Sequence, residues 1–295
     1  MLSVVDAGAA SRTAVLVCQG RAVADGRMAP DHFGDPIAAQ LLTTDERRAV
    51  DSARGDTPPA SGRERLAWER LRACAEGMVP RTVLIDEAVR ATSPRQLVIV
   101  GAGLDTRPWR LGELGHTRVF SVDHPASQAD CRRRVGALEP VGDGLTYVAV
   151  DLASEPLGPA LAASGHDPAV PTTWLWEGVV PYLARRDVEA TLGAMSACAS
   201  KGSTLVAQYQ DRSAIARMGR RASSLLARSV GLDDPLHDEP WRSLWSADEI
   251  VDLFDRHGFR VDRDEDLLTS AQRIGSPATH PRSLANGRIA SATRV

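Results

Sequence analysis

Paired cysteines are missing from this chain: Cys18, Cys74, Cys131 and Cys198 stand far apart, with no CxxC pair and no cysteine–histidine ligand spacing. Free thiols in a reducing compartment are the reading, so neither a disulfide framework nor a metal site is expected. Lysine is nearly absent too, with Lys201 the single example. The positive charge is therefore almost wholly arginine, which with abundant Ala, Gly and Pro reads as GC-rich coding bias and carries nothing about mechanism. No apolar run approaches the roughly 20 residues of a membrane span. The N-terminus carries Asp6 and lacks a basic stretch ahead of an apolar one, so a cytoplasmic protein is expected. A net charge of -3 and a pI near 6.2 supply no basic field for nucleic acid or an anionic membrane. A small-molecule or single-protein substrate is favoured, and oligomeric state stays open.

What is present is ordinary globular material: 295 residues, 43% hydrophobic and 25% charged, enough for a sizeable core. Residues 12 to 24 and 37 to 53 have helix-compatible apolar spacing, with Asp35-Pro36 at a plausible helix start. After the polar break RGDTPPASG, a second helical stretch runs from Arg63 to Ala91, and Pro80 is expected to interrupt it. From Gln96 the texture changes. QLVIVGAG is a short continuous apolar run ending in glycines, the pattern of a strand buried on both faces of a parallel sheet. Runs at 118–123, 145–151, 173–177 and 203–209 repeat it, with helix-like segments between, so a right-handed β-α-β arrangement is predicted. Asp248 to His257 reads as a helix closed by Gly258, and Phe259 opens a late strand.

These readings divide one α/β domain into an N-terminal helical cap (1–92), a parallel-sheet core (93–211), a helical insertion over the substrate side (212–240), a completion of the core (241–270) and a tail (271–295). The tail has little periodicity and is expected to be mobile.

In an open parallel sheet, ligands sit beyond the carboxyl ends of the strands where strand order reverses. Gly101-Ala102-Gly103 follows the first strand, where glycine lets backbone turn tightly and approach a ligand. Asp123 ends the second strand, suited to a ribose diol or equally to capping the next helix. Asp151 and Leu152 end the third, suited to adenine or to a turn. Glu177 ends the fourth, suited to a cationic amino group or to solvent. Together the glycine turn and three acids outline an adenosine-bearing ligand. A nicotinamide dinucleotide is one candidate, but the G-x-G-x-x-G fingerprint has Thr106 in its third place. S-adenosylmethionine has no pyrophosphate and needs no third glycine.

QLVIVGAGLDTRPWRL resembles the first motif of the leucine carboxyl methyltransferase family. So do Arg81-Thr82 with Asp86 in RTVLIDEAV, Val122-Asp123-His124-Pro125 with Gln128, Val150-Asp151-Leu152, and Trp176-Glu177-Gly178-Val179-Val180-Pro181-Tyr182-Leu183. The resemblance spans roughly Thr13 to Leu267. It implies a Rossmann-like class I methyltransferase, its sheet mostly parallel with a late antiparallel strand, that uses S-adenosyl-L-methionine on carboxyl or hydroxyl groups. By the same resemblance Arg81 pairs with the methionine carboxylate, Gly101 and Gly103 line the cofactor's path, Asp123 holds ribose, Asp151 and Leu152 adenine, and Glu177 the amino end. Ser121 departs from the pattern, standing where the family often has an acid. Bacterial members frequently act on small metabolites, so a protein substrate is not carried over.

A carboxylate acceptor, ionised at neutral pH, needs no general base, whereas a phenol usually does. His237 in the insertion is the candidate base, and Tyr182 either faces substrate or packs in the core. Asp105 and Arg107 read as a local ion pair within the turn. Carboxyl O-methylation of a small, secondary metabolite is the expectation, with phenol or hydroxyl methylation, a nicotinamide-dependent oxidoreductase and a non-catalytic adenosine-ligand or partner-binding module as alternatives.

Overall fold

The computed structural model describes residues 11–142, 144–152, 154–212 and 241–295. A seven-stranded sheet runs through the molecule in the order β3-β2-β1-β4-β5-β7-β6. Its strands are β1 (Gln96–Val100), β2 (Arg118–Asp123), β3 (Leu145–Ala149), β4 (Thr172–Trp176), β5 (Thr204–Gln210), β6 (Phe259–Asp266) and β7 (Gly287–Arg294). The first five are mutually parallel, and β7 runs antiparallel to both β5 and β6. Strand order reverses between β1 and β4, which opens a crevice at their carboxyl ends.

The unbroken apolar strands follow from burial on both faces. Alternate side chains point to opposite sides, so Leu97, Ile99, Leu175 and Val206 pack on one face against Leu84, Ile85 and Val89. Val98, Val100, Trp174 and Trp176 pack on the other against Leu192, Leu253 and Phe254. A third apolar cluster, including Cys18, Ala22, Ala75 and Val79, holds the N-terminal helices together as a cover beside the sheet.

Helix α1 spans Arg12–Ala24, capped by the Ser11 hydroxyl. The predicted 37–53 helix splits into a 3-10 turn at Ala38–Leu41 and α2 at Thr44–Arg54. The split has a local cause: Thr43 and Glu46 form a reciprocal capping box that starts a fresh helix. The predicted break at Pro80 is corrected. Gly62–Thr92 is one helix, α3, with Pro80 inside it. The missing N–H and ring crowding of proline are tolerated there because α3 is buried from Val79 to Asp86, so packing outweighs local propensity. The remaining helices are α4 (Arg107–Arg110), α5 (Pro125–Val135), α6 (Leu157–Ala163), α7 (Arg185–Ala197), α8 (Ala247–Arg256), α9 (Leu267–Arg273) and α10 (Pro281–Asn286).

The expected mobile tail is likewise corrected. Residues 287–294 form β7, inserted between β5 and β6, with Ala290 and Ala292 fully buried. Short side chains hid the strand: GRIASATR has few large apolar residues to mark a period of two, yet small residues suit an interior strand packed closely by its neighbours. The predicted helical insertion, apart from Arg212, and His237 within it lie outside the described residues. Among the described residues no helix is long and apolar enough to cross a membrane.

Ala290→Asp places an unpaired carboxylate in a site with 0% exposure. It should cost several kcal/mol, about 3–5, while Arg282→Ala on the exposed surface stays within about 0.5 kcal/mol in urea unfolding. Equal tolerance of both changes would restore the view of this segment as a tail.

Candidate active site

A cavity of about 600 Å³ opens at the carboxyl ends of the parallel strands, beside the reversal in strand order. It brings together Gly101 and Gly103 after β1, Asp123 at the end of β2, Asp151 and Leu152 after β3, and Glu177 after β4. Arg81 and Tyr182 line it as well. The sequence-predicted residues that the structure describes therefore share one rim.

The glycines have a backbone reason. Gly101 sits at φ +70°, and a Cβ there would fall 2.4 Å from Val179 Cγ2. Its N–H and that of Ala102 both donate to the Val122 carbonyl, at 2.9 and 3.0 Å, folding the turn against β2. Gly103, at φ +51°, donates its N–H to Asp123 Oδ2 at 2.5 Å. Asp123 Oδ1 accepts from the His124 N–H at 2.7 Å. The cap of α5 is His124, whose Nδ1 accepts from the Ala126 N–H, so Asp123 is not the helix cap. Burial raises the Asp123 pKa and outweighs the two backbone donors that lower it.

Asp151 does make a turn: Ser154 Oγ donates to its Oδ2 at 2.9 Å, and its carbonyl accepts from Ser154 and Glu155. Leu152 beside it keeps an exposed apolar side chain at the cavity rim. Tyr182 is half-buried at the cavity wall.

Behind the rim lies a chain of buried charges. Arg107, 2% exposed, donates from Nε to Asp86 at 2.7 Å and from Nη1 to Asp105 at 2.5 Å and Glu177 at 2.8 Å. The expected Asp105–Arg107 pair exists, but it is one arm of a hub. Arg110 holds the other side of Asp86 at 2.6 Å, and its Nε lies 3.7 Å from Asp35. Asp35, fully buried, accepts from Arg21 at 2.8 Å and from the Thr106 hydroxyl at 2.6 Å. At the cavity end, Arg81 Nε lies 2.7 Å from Glu177 Oε1. These two atoms are buried yet not aligned for a hydrogen bond with each other or with any other partner. Arg81 is buried within α3.

Burial pushes Glu177 up, but Arg107 and Arg81 more than offset this and hold it down to about 2. Asp86 is likewise lowered, burial being overcome by Arg107 and Arg110. Sequence reasoning gave Asp86 no role and missed Asp35, Arg21 and Arg110. One signal was available: Asp86 lies on a helix run of otherwise apolar buried residues, Val83, Leu84, Ile85 and Val89, where a charge must find a partner.

Arg107→Met leaves Asp86, Asp105 and Glu177 without their shared cation, so stability in urea unfolding should fall by about 3–5 kcal/mol. Glu177 has a folded pKa below its ordinary 4.5. Its stabilisation is present above that value and is lost as pH falls from 4.5 toward 2. Glu177→Gln should therefore flatten the stability profile across that window, as read by thermal unfolding at stepped pH.

The geometry now has relatives to stand beside. Residues 14–196 match the family model described as leucine carboxyl methyltransferase. A Streptomyces avermitilis protein named as an S-adenosyl-L-methionine-dependent methyltransferase is 32% identical over 270 residues, covering 89% of this chain and 88% of that one. A similarly named protein of Streptomyces coelicolor is 34% identical, covering 70% of this chain and 72% of its own. Among solved structures, a DUF574 family protein from Streptomyces avermitilis aligns with TM-score 0.58 at 14% identity, over 97% of this chain and 98% of that one. A protein from Thermobifida fusca whose structure was solved as a methyltransferase aligns with TM-score 0.52 at 19% identity, over 87% and 92%. The sheet with its inserted antiparallel strand is thus a Rossmann-like class I methyltransferase fold, and the chain belongs to the leucine carboxyl methyltransferase family.

Proposed function

We propose that this protein is an S-adenosylmethionine-dependent O-methyltransferase acting on the carboxylate of a small secondary metabolite. The observation that carries the reading is the convergence of Gly101, Asp123, Asp151 and Glu177 on one cavity of about 600 Å³, a volume suited to a nucleoside cofactor with a small acceptor.

The residues fit that cofactor. Asp123 is a desolvated carboxylate whose remaining lone pairs suit a ribose diol. Leu152 offers an exposed apolar side chain for an adenine face, with Asp151 beside it for the ring's exocyclic amine. Arg81 Nε and Glu177 Oε1 are an adjacent buried donor and acceptor with no hydrogen bonds. A cation and an anion so placed match the carboxylate and ammonium of an α-amino acid. The dinucleotide alternative fits less well: Thr106, in the third glycine position, is buried against Asp35, and α4 is only four residues long.

When bound, the cofactor supplies a methyl group already activated by its sulfonium. What this chain contributes is alignment and exclusion of water. The glycine turn lets backbone approach the ligand, the ion-paired Arg81 and Glu177 fix its amino-acid end, and the cover formed by α1, which supplies Ala14 and Val17, closes one side. No proton transfer is required of the protein if the acceptor is a carboxylate, with an ordinary pKa of about 4. His124, the one histidine lining the cavity among the described residues, is committed to the α5 cap.

Calorimetry tests the reading. S-adenosylmethionine and its demethylated product should both bind, and Asp123→Ala should weaken both about a hundredfold or more, because hydrogen bonds to a charged group are worth about 1.5–3 kcal/mol each. Affinity should also fall on acidification through the Asp123 pKa, which lies above the usual 3.8. Asp123→Asn should remove that pH dependence. Saturation by NADH with no response to S-adenosylmethionine would overturn the proposal.

A further inference from the structure

The cavity's two ends differ in charge. Asp151 and Asp123 stand at the ends of β3 and β2, whereas Gln210 ends β5 on the far side of the strand reversal. Four strand spacings separate β3 from β5, about 19 Å at about 4.8 Å each. The cofactor residues argued above occupy the β3-to-β4 portion. The remaining wall, toward β5, includes Tyr182, Leu183, Gln210, Trp241 and Arg242.

Three arginines line the cavity: Arg21, Arg81 and Arg242. Arg21 is spent on Asp35, and Arg81 faces Glu177. Among the described residues, the Arg242 guanidinium has no hydrogen bond and no ion pair. The same holds for the side-chain amide of Gln210, half-buried at the wall. The neighbouring Gln208 differs: its amide carbonyl accepts from the Gly178 N–H at 3.1 Å and its NH₂ donates to the Tyr209 carbonyl at 3.2 Å.

The Arg242 side chain is exposed, but its backbone is anchored. Its N–H and that of Ser243 both donate to the Pro181 carbonyl, at 2.7 and 3.2 Å. The Ser243 hydroxyl donates to the Val180 carbonyl at 2.9 Å and accepts from the Trp245 indole at 3.1 Å. Trp245 N–H in turn donates to the Gln210 carbonyl at 3.0 Å, pairing this segment with the end of β5. The anchored backbone thus places Arg242 and Gln210 side by side among the residues that line the cavity, and among the described residues neither side chain spends its donors.

We infer that Arg242, assisted by Gln210, is the specificity determinant that selects an anionic acceptor by binding its carboxylate. The inference rests on the methyltransferase reading and deepens it. A planar guanidinium can hold one carboxylate oxygen while the other stays free to react. An acceptor oxygen forms the new bond to the methyl carbon as the carbon–sulfur bond breaks, and that bond's electron pair remains on sulfur. The carboxylate's negative charge and the sulfonium's positive charge disappear together, and no proton moves. The product ester is neutral, so it loses its attraction to Arg242 and leaves.

Saturation-transfer NMR on protein loaded with S-adenosylhomocysteine tests this with benzoate against benzamide and methyl benzoate, and octanoate against octanamide. The acids should show saturable binding and the neutral partners none. Arg242→Ala should weaken acid binding tenfold or more, Gln210→Ala less, and Arg242→Lys should retain part of it. S-adenosylhomocysteine affinity, read by calorimetry, should stay within twofold in all three variants. Binding of neither acid, equal binding of acids and amides, or unchanged acid binding in Arg242→Ala overturns the inference. So does loss of the nucleoside in Arg242→Ala, which would put this residue in the cofactor's own site. Failure of the wild-type protein to bind the nucleoside would instead sink the methyltransferase reading itself.

Discussion

Arg107 is 2% exposed and carries Asp86, Asp105 and Glu177 on a single guanidinium. Taking such charges out of water costs several kcal/mol per ion, so the arrangement holds only when every charge finds its opposite. Here they do: Arg21, Arg81, Arg107 and Arg110 stand against Asp35, Asp86, Asp105 and Glu177 in one connected series. The contributors come from α1, the loop that follows it, α3, the turn after β1, α4 and the end of β4. Helices α1 and α3 of the cover are thereby referenced to the rim of the sheet by charge as well as by apolar packing.

That constraint shapes the cavity. Glu177 is held ionised by Arg107 from behind while its second oxygen faces Arg81. The turn carrying Gly101 and Gly103 is pinned on one side by the Val122 carbonyl and Asp123 and on the other by Asp105 and Arg107. A site built this way needs little rearrangement to meet a ligand, because its polar groups are oriented by partners beyond the wall. Across the same cavity the charge pattern changes from the acids at β2 and β3 to the exposed Arg242, which has no ion pair among the described residues.

Much of this is legible in the amino-acid sequence. The five parallel strands appear in the sequence as apolar runs because both their faces are buried, and the residues after them announce the rim because polar side chains end those runs. Asp123, Asp151 and Glu177 stand out on that ground, each beside a capping, turn or solvent reading, and the family resemblance supplied their expected roles. Other features were hidden by local signals that packing overrode. Pro80 suggested a break in a helix that runs through it, and the small residues of β7 gave no period to follow. Asp35 looked like the start of a helix and is a buried anion.

Composition and periodicity determined the class of fold, the strands of its core and the positions at which they end, since burial on two faces leaves an imprint on each strand separately. Which charges face one another was decided only in three dimensions. Arg107 meets Glu177 across 70 residues of sequence, and Arg242 reaches the cavity through bonds to Pro181. Pairings of that kind depend on distances between elements, and an isolated sequence pattern carries no record of distance.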